Sequence, residues 1–293
     1  MTKYDQEIMK FYQDNVNFKD LIIEQKIITV SNLFLGKPYN LGALGEGPNG
    51  EFDQNPLYRT DSFDCQTFVS TVLALANSSN LSEFQNNIKN INYKDGNVSY
   101  FNRAHFTNLD WNTNNQHNNF LEDYTSEIVD ETGKPIAESA YTLIDKPNWF
   151  TMKNCESIKS TTKLSANKKQ NLLNKLHGLA ANTSQEKSVI AFLPLNKLFS
   201  TDGTPNQYLF DQIPSPSVIE IVTPNLDLYN KIGTNLDVSH LGIAFRRDNQ
   251  LIFREASSYK KFGIGVIDIP LIEYLKNYQN SKTIAGINVQ KIL

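Results

Sequence analysis

Asp61-Ser62-Phe63-Asp64-Cys65-Gln66-Thr67-Phe68-Val69 sets a thiol at the junction of a polar turn and an apolar helical pattern. From Cys65 onward, apolar or small residues fall at Phe68, Val69, Val72, Leu73 and Ala76, the spacing of a helix that lays one face on a core. Asp61 and Asp64 are N-cap types, so the helix is expected to begin within a residue or two of Cys65. A thiol there meets unpaired backbone N–H groups and the positive end of the helix dipole, which favour thiolate over thiol. The same N–H groups could hold an oxyanion, which makes Cys65 a candidate nucleophile. A lone helical cysteine is otherwise a small buried hydrophobe, so the reading depends on a base elsewhere in the chain.

Four histidines narrow that search. His240 follows Ser239 at the start of the β-rich run His240-Leu241-Gly242-Ile243-Ala244-Phe245. Arg246-Arg247-Asp248-Asn249-Gln250 has the length of a hairpin loop, and Glu255 ends the run that follows it. In an antiparallel pair these two side chains lie near enough to meet. A cysteine at a helix N-terminus, packed on a sheet that supplies histidine and carboxylate, is the arrangement of groups found in papain-like proteins. His177, beside Gly178, reads as a histidine at a helix C-terminus. His105 and Trp111 stand in an Asn-rich hydrophilic stretch, where they either line a groove or anchor a loop to the core. Cys155 lies in a Lys/Ser/Thr-rich stretch with no base in view.

The elements that must carry these groups fall in two parts. Helices are expected over about 20–35 and 165–176, with Ser165 as a cap, besides the one starting at Cys65. The loop Leu41-Gly42-Ala43-Leu44-Gly45-Glu46-Gly47-Pro48 lacks a phosphate-loop ending and reads as a tight turn. From about 81 to 116 the chain is polar, and 138–144 reads as a strand. After Ser188, short β-rich runs at 189–193, 218–222, 240–245, 251–253, 266–269 and 284–289 alternate with Pro and Asn turns. Helices first and an antiparallel sheet second is an α+β pattern around one core. The chain is therefore read as a single domain: a helical part with the nucleophile over about 20–90, insertions over about 95–185, and a sheet with the histidine over about 188–293.

Composition restricts the partners. A net charge of −3 in 293 residues gives no basic surface for nucleic acid or an anionic membrane. Two cysteines make no disulfide framework, no Cys/His cluster has metal-ligand spacing, and no cofactor is called for. No apolar run approaches the roughly 18 residues of a membrane span, and Met1-Thr2-Lys3-Tyr4-Asp5 shows no apolar leader.

Taken in order, Gly36-Lys37-Pro38-Tyr39, Asp64-Cys65-Gln66-Thr67-Phe68-Val69, Ser239-His240-Leu241-Gly242-Ile243 and Glu255-Ala256-Ser257-Ser258 resemble the motifs of the NlpC-type cell-wall hydrolases. Leu44-Gly45-Glu46-Gly47, Pro56-Leu57-Tyr58-Arg59, Asn148-Trp149-Phe150 and Ile232-Gly233-Thr234 are similar to blocks of the N-acetylmuramoyl-L-alanine amidase-like branch. The resemblance runs from about 27 to 258 and implies a papain-like fold with N-terminal helices packed on a central antiparallel sheet. It implies Cys65 as nucleophile, His240 as base and Glu255 as the group that orients the base. Relatives often carry histidine at that third position; a glutamate there can still accept the imidazole hydrogen bond. Tyr39 matches a tyrosine that reaches the active site, and Asp64, Ser239, Trp111 and His105 are the further candidates for oxyanion or substrate contacts. The implied reaction is acyl transfer on the amide between N-acetylmuramic acid and L-alanine in peptidoglycan or muropeptide fragments. A γ-D-glutamyl bond in the stem peptide is the alternative, and a non-catalytic peptidoglycan-binding relative is the competing class. Peptidoglycan places such a protein at a bacterial cell envelope, or in the cytoplasm if it recycles wall fragments.

Overall fold

The computed structural model describes residues 1–293. Its centre follows from the β-rich runs of the C-terminal half, which form β3 (Gln185–Pro194), β4 (Ser217–Leu226), β5 (Leu236–Arg247), β6 (Gln250–Ser257), β7 (Gly265–Pro270) and β8 (Gly286–Ile292). Two earlier segments join them, β1 (Leu121–Asp123) and β2 (Glu138–Asp145). The order is β2-β3-β8-β4-β5-β6-β7, every pair is antiparallel, and β1 pairs with β8. The fold is mixed α and β around this antiparallel sheet.

Both faces of the sheet are covered, which is why its inner strands read as unbroken apolar runs. Val218, Leu241, Ile243 and Phe245 pack with Phe68, Val69, Val72 and Leu73 on one face. Ile219, Ile221, Ala244 and Phe253 pack with Leu271 and Leu275 on the other. The first set comes from α3 (Cys65–Ala76), whose residues from Phe68 to Ala76 are all buried. Each large apolar side chain enclosed in this way contributes about 1.5–3 kcal/mol. Burial of the whole helix fixes where its first residue sits.

Beside α3 lie α1 (Lys3–Asp14), α2 (Ile23–Asn32) and α4 (Leu81–Asn92). Helix α4 corrects the reading of 81–116 as merely polar, because Asn80 caps it and Phe84, Ile88 and Ile91 form a buried stripe among Asn, Gln and Lys. Helix α1 was not foreseen, although Thr2 and Asp5 form a capping box and Ile8 and Phe11 are buried. The middle of the chain carries α5 (Thr113–His117), α6 (Lys146–Thr151) and α7 (Ala166–Gly178), the last capped by Ser165 as expected. Strand β2 pairs with β3 from Glu138↔Phe192 to Asp145↔Gln185, so part of the 95–185 segment belongs to the sheet itself.

Candidate active site

Cys65 is the first residue of α3 and is half-buried. Asp64 precedes it as N-cap, accepting from the Thr67 N–H at 2.8 Å on Oδ1, while the Asp64 N–H donates to the Thr67 hydroxyl at 2.9 Å. Its Oδ2 accepts from the N–H groups of Gly42 at 3.1 Å and Ala43 at 3.4 Å. Both carboxylate oxygens accept from backbone, so Asp64 is a cap that ties the glycine-rich loop to the helix. Tyr39 is held alongside by backbone pairing of its segment with Phe63, the Asn40 N–H donating to the Phe63 carbonyl at 2.8 Å. Burial, with the nearby Cys65 and Asp64, pushes the Tyr39 phenol up to about 12, so it keeps its proton and remains a donor.

His240 lies where β5 runs on past its ladder with β6, which begins at Ile243↔Arg254. Its Nε2 meets a carboxylate oxygen of Glu255, and Glu255 is only 2% exposed. Burial opposes charge on the imidazole, but the Cys65 sulfur and then Glu255 outweigh it, pushing His240 up to about 10. Three groups from distant parts of the chain thus form one contact series. Gly242 makes room for it: a Cβ at that position would stand 2.6 Å from the Phe253 ring. That ring packs edge-on to His240 with centroids 6.2 Å apart.

Tyr274 was missed by sequence reasoning. It sits on the short helix Leu271–Lys276, its ring 6.5 Å from His240 and 4.9 Å from Phe253. The buried i, i+3, i+4 set Leu271, Tyr274 and Leu275 was the available signal for that helix. Together with Ser239, Ser257, Tyr259 and Tyr278, Tyr274 lines a cavity of about 190 Å³ beside His240 and Glu255. Ser239 faces it, its hydroxyl 2.8 Å from that of Thr223.

The remaining two candidates lie elsewhere. Trp111 is 0% exposed and donates its indole N–H to the Ser70 hydroxyl at 3.1 Å, so it belongs to the core under α3 and has no surface for a substrate, contrary to expectation. His105 is enclosed by Tyr100 and Trp149, with ring centroids at 4.8 and 4.4 Å, and its Nε2 bonds the Tyr100 carbonyl at 2.7 Å. Burial and then Arg103 hold that imidazole well below the ordinary value of 6.5, so it is neutral. No group of three or more His, Cys, Asp or Glu side chains is placed to hold a metal ion, and no helix is long and apolar enough to cross a membrane.

Several solved structures resemble this one. A Legionella pneumophila protein of the family DUF1460 shares 42% identity, with a TM-score of 0.92 over 99% of this chain and 94% of its own. An N-acetylmuramoyl-L-alanine amidase from Bacteroides uniformis shares 25% identity, with a TM-score of 0.61 over 92% of this chain and 98% of that one. A Bacteroides fragilis protein described as a putative xylanase has the fold in common, at 24% identity and a TM-score of 0.59 over 90% and 100% of the two chains. None of the curated proteins matches the chain. The model of the AmiA-like family, N-acetylmuramoyl-L-alanine amidase-like, matches residues 29–284, and the chain belongs to that family.

Proposed function

We propose that the protein is a cysteine-dependent peptidoglycan hydrolase of the papain-like, NlpC type, which cleaves the amide between N-acetylmuramic acid and L-alanine. The observation that carries this is the pairing of His240 Nε2 with Glu255, with Cys65 at the first position of α3 among the groups that raise His240. Family membership and the Bacteroides uniformis amidase at 25% identity support the choice of bond.

In this reading Cys65 gives its proton to His240, and the sulfur attacks the amide carbonyl carbon to form a C–S bond. The oxyanion is held by the Cys65 backbone N–H at the start of α3 and by the Tyr39 hydroxyl. His240 passes its proton to the departing L-alanine nitrogen as the C–N bond breaks, leaving a thioester. Water then attacks the thioester, His240 takes the water proton, and the acid leaves as Cys65 is regenerated. Glu255 fixes the ring and balances its charge throughout, the role an aspartate or asparagine plays in related triads. The site of action is the cell envelope, where the substrate is found.

Mass spectrometry of purified disaccharide-peptides after digestion tests the bond. Release of an intact stem peptide beginning with L-alanine supports the amidase, while fragments cut after D-glutamate assign a stem endopeptidase. A protein that binds the fragments and cuts none is a non-catalytic relative. Iodoacetamide labelling at neutral pH adds an independent check: Cys65 reacts faster than the second free cysteine, Cys155, or the nucleophile is wrongly assigned.

A further inference from the structure

Glu220 lies in the middle of the sheet, on β4 between β8 and β5, and is 0% exposed. The residues paired with it across the strands are Leu241 and Asn288. Leu241 has no polar side-chain atom, and Asn288 gives its amide hydrogens to Asp123 at 3.1 Å and the Ala191 carbonyl at 3.0 Å. The one bond that Glu220 receives comes from Asn112, whose Nδ2 is 2.9 Å from Oε2. Asn112 is itself 1% exposed and ends the π-helical turn Thr107–Asn112. Two acceptors of this pair are left over: Glu220 Oε1 and Asn112 Oδ1 are both buried, and neither meets a donor. A buried acceptor without a donor is destabilising, and here two occur on one pair of side chains.

No cation is among the groups that bear on Glu220. They are Asp237 on β5 and Asp123 on β1, both carboxylates. The other charges on the surrounding elements are engaged elsewhere, Asp110 on the turn with Lys146 at 2.9 Å and Lys291 on β8 with Glu122 at 3.3 Å. On β3, Ser188 donates its hydroxyl to Asp237. Burial first, with the two neighbouring carboxylates adding to it, outweighs the Asn112 hydrogen bond and pushes the Glu220 carboxyl up to about 8. A proton on Oε1 removes the buried charge and turns one leftover acceptor into a donor for the other.

We propose that Glu220 carries a proton in the folded protein and closes a two-bond acid–amide pair with Asn112, a latch between β4 and the Thr107–Asn112 turn that opens when Glu220 ionises. What the latch holds in place bears on α3. From the same turn Trp111 donates to Ser70 at 3.1 Å, and Thr107 donates at 3.4 Å to Gln66, the residue after Cys65. The device is independent of which bond Cys65 attacks. Its sign follows from the folded chain keeping a proton that the unfolded chain releases at the ordinary value of 4.5. Stabilisation by the latch is therefore complete below 4.5 and is lost as pH rises through 8.

Glu220→Gln offers Asn112 the same donor and acceptor, and no proton can leave it. In the full-length protein, urea unfolding from about pH 5 to about pH 9 is expected to show the variant gaining on wild type in its folding constant. The gain is about ten-fold per pH unit up to pH 8 and stops above it. Hydrogen exchange followed by mass spectrometry is expected to show the 107–112 amides of wild type losing protection as pH passes 8, beyond the intrinsic rise in rate, while the variant keeps it. Asn112→Ala, which deletes the partner, is expected to leave those amides unprotected already at about pH 6. Parallel stability curves, or protection that follows one course in wild type and Glu220→Gln, overturn the latch. Amides that stay protected in Asn112→Ala overturn it as well. So does a Glu220→Gln protein that fails to fold, because an amide fits the pair as proposed.

Discussion

His240 and His105 share an enclosed setting, and burial pushes protons off both. Their neighbours send them apart. His240 faces the Cys65 sulfur and the Glu255 carboxylate and rises to about 10, whereas His105 is near Arg103, Lys153 and Lys146 and falls well below 6.5. One region gathers negative charge around a ring that must carry a proton; the other gathers positive charge around a ring that must not. The sign of the surrounding charge, and not burial, separates the proposed base from a histidine that lines a wall.

The first way to break the comparison is to remove the sulfur. Cys65→Ala is expected to abolish hydrolysis of disaccharide-peptides and leave the melting temperature close to wild type; retained turnover would falsify the nucleophile. Arg103→Ala attacks the other region. It leaves Glu46 and Asp53, both under 10% exposed, without their cation, and is expected to cost about 3–5 kcal/mol in urea unfolding. A cost below about 1 kcal/mol would show that the cation is dispensable there.

Glu255→Gln keeps the shape of the acceptor and drops its charge. A kcat reduction of about a hundred-fold is expected, with the alkaline limb of kcat/KM moving below the wild-type position. That wild-type limb is expected near pH 10, where His240 loses its proton; a limb that stays put in the variant would deny Glu255 its part. Asp64→Ala removes the cap and two loop contacts, for an expected loss of about 1–2 kcal/mol by thermal unfolding.

The smallest effect is the most specific to the pair of histidines. His240 has its proton affinity raised on folding, so its stabilisation is complete below pH 6.5 and is lost as pH climbs toward 10. His105 has it lowered, so its stabilisation is complete above 6.5 and fades as pH falls. Melting temperature against pH should therefore lose part of its alkaline slope in His240→Gln and part of its acid slope in His105→Gln. Matching slopes in the two variants would erase the contrast.

Much of this architecture was legible beforehand. The alternation of β4 to β8, the Ser165 cap and the helix starting at Cys65 are local signals, and local signals survive in one dimension. Helix α4 was not, because four apolar residues in twelve, three of them buried, are masked by amides that leave the stretch reading as polar. For Trp111 the sequence left two readings open, groove or core anchor, and burial against the Ser70 hydroxyl, 41 positions away, decides for the anchor. Tyr274 carried no chemical motif, and nothing near it in the chain points to a histidine 34 residues earlier.

By itself the sequence determined which residue types were at hand and the local geometry of each: a thiol at a helix N-terminus, a histidine on an inner strand, a carboxylate at the end of its hairpin partner. Capping and periodicity act over a few residues, so they can be read directly. Tertiary structure alone decided that α3 crosses the sheet so as to bring Cys65 against His240, that Asp64 is used up on backbone, and which imidazole is ringed by negative charge. Electrostatic environment sums over every neighbour in space, and those neighbours come from four separate segments of the chain, at Cys65, Glu255, 100–103 and 146–153.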